Sequence, residues 1–200
     1  MMLASTAHPV ISDEVLALSA RGGARSAFDV LVSRYQGRIY RLAMRMSRNA
    51  SDAEEITQET FLHAHRGMAS FHAESRFGTW LYRIAVNEAL MRKRAANRRP
   101  TRSLEALEAV DGLAPETSEG DARPRDSVPL ADDLLERKRL AERVRDALNR
   151  LDEETRAALV LRDLEELSAD QAAEILGISP EAVRQRAHRG RVRLRDLLYR

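Results

Sequence analysis

Apolar side chains at Phe28, Leu31, Val32, Tyr35, Ile39, Leu42, Ala43 and Met46 recur at spacings of three and four. That repeat lines one face of a long α-helix. Ser51 or Asp52 can cap a second helix, in which Ala53, Ile56, Thr57, Thr60 and Ala64 fall on a common side. After a loop at GMASFHAES a third helix runs from about Phe77 to Arg94, with Leu81, Ile84, Ala85 and Ala89 turned inward. The first two dozen residues, ending in RGGARS, read as a loose arm. Between 99 and 130 the periodicity disappears, and Pro100, Pro115, Pro124 and Pro129 occur with Gly112 and Gly120. This segment is longer than the usual connection inside a compact domain, so it reads as a flexible linker. From Ala131 a second helical set begins, with Leu134, Ala141, Val144 and Leu148 on one helix, then Asp152 as a cap and Glu153 and Glu154 in the favoured first turn. Nothing alternates as a strand would. The expectation is an all-α chain of two small helical domains: an arm over 1–24, a first domain over 25–98, a linker over 99–130 and a second domain over 131–200.

The second domain carries the most specific stretch, LSADQAAEILGISPEAVRQRAHRGRVRL. Ser168 and Gln171 form a capping-box pattern that starts a short helix burying Ala172, Ala173, Ile175 and Leu176. Gly177 suits the left-handed turn that follows, and Ser179–Pro180 is a cap with proline at the first helical position. Helix, tight turn and helix in this spacing read as a helix-turn-helix, whose second helix enters the major groove by its N-terminal half, the alternative being a helical hairpin with a basic solvated face. There Val183, Ala187, Leu194 and Leu198 face inward and Glu181, Ala182, Arg184, Gln185, Arg186, His188 and Arg189 face outward. Arginine and glutamine read guanine and adenine edges bidentately, so Arg184, Gln185 and Arg186 are the expected base readers. Arg189, Arg191 and Arg193 lie further along, where the helix would leave the groove and pass phosphates. Gly190 costs up to about 1 kcal/mol relative to alanine, so this part of the helix is expected to be less rigid.

Charge sharpens this picture. The net +2 of the whole chain conceals strong segregation. Seven Lys/Arg against one acid lie between Leu81 and Arg102, and seven arginines against one acid lie between Arg184 and Arg200. Ser103–Glu136 holds ten acids and two arginines. Two basic segments around an acidic middle suggest two separate contacts with a polyanion, against the alternative of solvated helix faces. No stretch has the length of a membrane span and the start lacks a signal-peptide pattern, so a cytoplasmic protein without membrane insertion is expected. There is no cysteine, which excludes disulfides, thiolate metal sites and a cysteine nucleophile. The chain has no clustered carboxylate–histidine site, phosphate-cradling glycine loop or nucleophile constellation. An enzyme such as a nuclease is therefore disfavoured, and no cofactor, metal or small-molecule substrate is expected.

One helix runs against the basic trend. In SDAEEITQETF the residues Glu55, Gln58, Glu59 and Leu62 share a sector opposite Ala53, Ile56 and Thr60. An exposed leucine among acids suits a protein partner better than a phosphate backbone, the competing reading being a solvated acidic face.

Taken together, DAEEITQETFLHAHR, FHAESRFGTWLYRIAVNEALMRKR and LDEETRAALVLRDLEELSADQAAEILGISPEAVRQRAHRGRVRLRDLL resemble the extracytoplasmic-function (ECF) group of bacterial sigma factors, within the sigma-70 family. The resemblance covers about residues 25–98 and 131–198 and implies sigma domain two joined to sigma domain four without the third domain. It implies a promoter-specificity subunit that performs no chemistry, with core RNA polymerase and promoter DNA as partners. It implies that Asp52, Glu55, Gln58, Glu59 and Leu62 grip the clamp helices of the polymerase largest subunit. It further implies that Phe71, His72, Glu74, Ser75 and Arg76 line a pocket for an extruded base of the −10 element. Asn87 matches the family asparagine, and Arg83, Arg92, Lys93 and Arg94 lie along phosphates. A base stacked on an aromatic ring gains about 1–3 kcal/mol, enough to offset unstacking; Phe77, Trp80 and Tyr82 leave stacking and packing both open, and Phe77 and Trp80, at helical spacing, are expected in the core. The helix-turn-helix residues Glu181, Ala182, Arg184, Gln185, Arg186, Arg189, Arg191 and Arg193 would take the −35 element. Such factors are commonly held by an anti-sigma protein, though no residue here identifies one. The linker acids would either mimic nucleic acid inside polymerase or screen the basic helices. Met91 departs from the family, standing where many relatives have aspartate. A freestanding helix-turn-helix regulator is the rival reading, and it would not need the Glu55/Gln58/Glu59/Leu62 face.

Overall fold

The computed structural model describes residues 11–98 and 131–199, and the acidic linker predicted at 99–130 lies outside them. Among the described residues every regular element is helical, as expected: α1 (Asp13–Arg21), α2 (Arg25–Met46), α3 (Ala50–Gly67), α4 (Phe77–Arg98), α5 (Ala131–Asn149), α6 (Glu153–Leu159), α7 (Ala169–Leu176) and α8 (Pro180–Leu198). No described helix is long and apolar enough to cross a membrane.

The first half is built on α2, whose predicted stripe from Phe28 to Met46 is buried except for half-buried Val32. α3 lays Ala53, Ile56, Thr60 and Ala64 against it, and the enclosed Thr60 hydroxyl is satisfied by donating to the Ile56 carbonyl at 2.6 Å. The cap of α3 is Asn49, whose Oδ1 accepts from the Asp52 N–H at 2.8 Å. Ser51 and Asp52, the expected caps, lie inside the first turn. Phe71, Phe77, Trp80 and Tyr35 form one ring cluster, with Phe77 edge-on to Tyr35 at 5.4 Å and to Phe71 at 5.9 Å. Phe77 and Trp80 thus belong to the core, as expected.

The loose arm is corrected by α1. Residues 13–21 are helical because Ser12 caps them, Asp13 and Glu14 sit in the first turn and Arg21 in the last. Leu16 and Ala17 are buried, and Asp13 anchors the helix to α2 by accepting from Arg34 Nη1 and the Tyr35 hydroxyl, each at 2.6 Å. A helix held by two apolar residues and one carboxylate leaves little periodicity to read.

In the second half, Asp152 caps α6 as predicted, accepting from the Thr155 N–H at 2.8 Å. Past Leu159 the helix widens into one π turn over Val160–Leu164. The Ser168–Gln171 capping box is formed, Gly177 takes the left-handed conformation at φ 65°, and Ser179 caps α8 with Pro180 first. Among the described side chains of α5, Leu148 is buried and Val144 half-buried, while Ala141, expected inward, is exposed; the side chain of Leu134, also expected inward, lies outside the described ones. Gly190 also differs from expectation. It is buried where α8 crosses α6, and a Cβ there would stand 3.1 Å from Thr155 Cγ2 and 3.2 Å from Leu159 Cβ. The glycine permits close helix packing and does not loosen α8.

The two halves meet along a seam. α7 packs on α4, which explains why Tyr82 and Val86 are buried alongside the predicted Leu81, Ala85 and Ala89. Glu165 lies at the centre of the seam and accepts from the Tyr82 hydroxyl at 2.8 Å and from Arg45.

Candidate nucleic-acid interface

Because α3 buries one side on α2 and α4, its opposite side is presented to solvent. Glu55, Gln58, Glu59 and Leu62 are all exposed there, Leu62 at 47%. Asp52 is half-buried and turned sideways: it accepts from Arg92 Nε at 2.9 Å, and Glu55 pairs with the same guanidinium. The acidic helix and the basic helix α4 are therefore joined at Arg92. Burial works against its charge, but the two carboxylates outweigh burial and hold Arg92 above its usual range.

The loop before α4 is pinned at one end by Phe71, which is 3% exposed with its ring in the core cluster. The residues that follow reach the surface: His72, Glu74 and Arg76 are exposed and Ser75 is half-buried. His72 Nδ1 lies 2.6 Å from the Ser70 carbonyl, and Ala73 adopts φ 55°, a conformation uncommon for a residue with a Cβ. The polar side chains of this loop thus reach solvent, while Phe71, expected to line the base pocket, is enclosed in the ring cluster. Along α4, Arg83, Asn87 and Arg94 are exposed, while Lys93 is half-buried at the seam.

On α8 the first two turns are organised by one carboxylate. Glu181 Oε2 accepts from Arg184 Nε at 3.1 Å and Nη2 at 3.0 Å, and Glu181 Oε1 accepts from Gln185 Nε2 at 3.3 Å. Arg184 and Gln185 are exposed side by side. Arg186 is set apart, half-buried and paired with Glu154 at 2.7 Å. Ala182 is half-buried. Arg191 pairs with Asp163 at 3.0 Å, while Arg189 and Arg193 are exposed with no ion pair among the described residues. His188 is exposed too.

Sequence reasoning missed the seam residues. Arg45, Tyr82, Arg156 and Glu165 carry the polar contacts between the halves, and only Arg156 left a signal. It sits at helical spacing from Leu159 and Val160, on the buried side of an apolar run.

Both halves of the chain have counterparts among known proteins. The family model described as Sigma-70 region 2 matches residues 31–99, and that described as Sigma-70, region 4 matches residues 141–194. The ECF RNA polymerase sigma-E factor of Haemophilus influenzae is 36% identical over 182 residues, covering 90% of this chain and 92% of that protein. The ECF RNA polymerase sigma factor SigM of Mycobacterium tuberculosis is 36% identical over 187 residues, covering 94% of this chain and 85% of that protein. Among solved structures, CnrH in complex with the cytosolic domain of CnrY superposes with a TM-score of 0.66 at 27% identity, covering 93% of this chain and 96% of that one. With both regions matched in order and the likeness spanning nine-tenths of its length, the chain belongs to the ECF sigma factors of the sigma-70 family, DNA-binding factors of transcription initiation and not enzymes.

Proposed function

We propose that this sigma factor divides its work among three faces. The Glu55/Gln58/Glu59/Leu62 face of α3, with Asp52 at its edge, grips core RNA polymerase. The loop of His72, Glu74, Ser75 and Arg76, pinned at one end by Phe71, takes an extruded base of the −10 element, and Arg83, Asn87 and Arg94 hold the opened strand. Arg92 joins that strand once Asp52 and Glu55 release it, and Lys93, half-buried at the seam, lies beside it. The N-terminal turns of α8 read the −35 element through Arg184 and Gln185. Arg186, Arg189, Arg191 and Arg193 lie along phosphates, and Glu181 and Ala182 border the groove.

The observation that carries this reading is the Glu181 fork, which holds Arg184 and Gln185 side by side at the start of a helix fixed by Ser179 and Pro180. Fixing both planar groups before binding reduces the rotamer freedom lost on reading adjacent base edges. The protein works in the cytoplasm, where RNA polymerase acts. The likeness to CnrH, a factor seen with the cytosolic domain of CnrY, supports control by an anti-sigma protein. Run-off transcription with core polymerase on a promoter library tests the reading. It predicts one recovered −10/−35 pair, lost with Arg184→Ala and Gln185→Ala at the −35 positions only. Recovery of the same −35 sequence by both variants would overturn the assignment.

A further inference from the structure

Arg156 is 1% exposed, a guanidinium enclosed at the seam. Its Nη1 donates to the Met46 carbonyl at 3.0 Å, satisfying the C-terminal end of α2. That accounts for one nitrogen. Its Nε and Nη2 are enclosed without a hydrogen-bond partner among the described residues, and unmade bonds on an enclosed charged group are costly. These two nitrogens carry the parallel N–H pair with which arginine grips two oxygens of one anion.

Two further cations stand near this edge. Arg48, exposed, follows the end of α2, and Lys93, half-buried, comes from α4. Burial, then the Arg48 charge, pushes the Arg156 guanidinium below its usual range, with Glu153 opposing. Burial, then Arg156, lowers the Lys93 ammonium, Arg48 adding to this and Glu153 and Asp152 opposing. The acids offset part of this charge: Asp152 accepts from the Thr155 N–H, and the Glu153 carboxylate acts on both Arg156 and Lys93. Arg48, from the turn after α2, and Lys93, from α4, thus lie near enough to act on the Arg156 guanidinium, whose Nε and Nη2 edge has no hydrogen-bond partner among the described residues.

We propose that this edge of the seam binds a small phosphate-bearing anion, gripped by Nε and Nη2 of Arg156 and covered by Arg48 and Lys93. Arg48 is exposed and Lys93 half-buried, so this edge of the seam borders solvent. An anion held there ties α6 to α2 and α4 and stabilises the arrangement in which α7 covers α4. It also withdraws Lys93 from the promoter strand, which makes the site a brake on initiation. The binding test stands apart from the promoter reading.

The probe is pyrophosphate, titrated into the full chain at fixed ionic strength, with inorganic phosphate and a single-stranded oligonucleotide as separate arms. Pyrophosphate should raise the melting temperature of the wild type by several degrees. Arg48→Gln with Lys93→Gln should weaken binding about tenfold or more. Arg41→Gln with Arg66→Gln, an equal charge loss at exposed positions elsewhere, should leave binding unchanged. Since the chain has no cysteine, dyes on introduced cysteines at Gln36 and His188 report the separation of the halves. Pyrophosphate should shorten that distance in the wild type and not in the Arg48/Lys93 variant. The proposal is overturned if pyrophosphate leaves the wild-type melting temperature unmoved, or if both double variants lose affinity equally. Binding of the oligonucleotide alone would also overturn it, marking the cluster as a nucleic-acid surface.

Discussion

Replacing Gly190 by alanine sets two effects against each other. Alanine is favoured over glycine inside a helix by about 1 kcal/mol, so an exposed α8 would gain from the change. The added Cβ, however, would lie 3.1 Å from Thr155 Cγ2, 3.2 Å from Leu159 Cβ and 3.3 Å from Leu159 Cδ2. Thr155 and Leu159 are 7% and 2% exposed, and the Leu159 Cβ is fixed to the α6 backbone. No rotamer change relieves that contact, so α8 must move away from α6. Overpacking of this kind costs about 1–3 kcal/mol, and it outweighs the propensity gain. The expected net loss is about 1 kcal/mol, which lowers the melting temperature by a few degrees in a chain of this size. Circular dichroism melts of wild type, Gly190→Ala and Gly190→Val should show a stepwise fall, accompanied by weaker binding to −35 duplex as α8 shifts. A higher melting temperature for Gly190→Ala would refute the reasoning, since it would mean that the helix crossing has room to spare.

Glu55→Lys with Glu59→Lys should abolish binding to core polymerase with helix content unchanged, because both groups are exposed and reversal places like charges against a basic partner surface; unchanged co-purification would sink the assignment. Arg184→Ala should cost about 1–3 kcal/mol on the preferred −35 duplex and flatten preference at one or two positions, whereas Arg193→Ala should weaken all sequences alike and reduce the salt slope by about one unit, as read in a selection at two salt concentrations. Burial alone would raise Asp152, but hydrogen bonds from Thr155 outweigh it and hold its carboxyl below the usual range. Its stabilisation is therefore present above the ordinary aspartate pKa and lost as pH falls through the lowered value. Wild type should lose more melting temperature on acidification than Asp152→Asn, and equal losses would show that the cap carries no such linkage.

The helices with one wide apolar stripe were legible in the sequence: α2 and α3 on their inner faces, and the helix-turn-helix with its box, its left-handed glycine and its Ser-Pro start. Elements held by polar or two-sided contacts were not. α1 depends on Asp13 reaching Arg34 and Tyr35, partners more than twenty residues away that no local pattern reveals. Asn49, Ser51 and Asp52 are all capable caps, and only the path of the backbone selects Asn49. α4 is apolar on two sides because α7 covers it, so Tyr82 and Val86 gave no separate warning. Of the site, the exposed faces of α3 and α8 followed from helical geometry. The ion pairs of Arg92 and Arg186 and the partial burial of Lys93 depend on neighbours far along the chain, which sequence spacing does not report.

The polar joints across the seam draw on both halves: Arg45 and Tyr82 face Glu165, and the Met46 carbonyl faces Arg156. The halves are consequently not interchangeable parts. A hybrid that fuses this chain's first half to a relative's second half through the linker would leave Tyr82 and Arg45 opposite whatever residue replaces Glu165. Such a hybrid is expected to keep the helices of both parents but the seam of neither. Grafting Glu165 and Arg156 along with the second half is the condition for exchanging it without losing these joints.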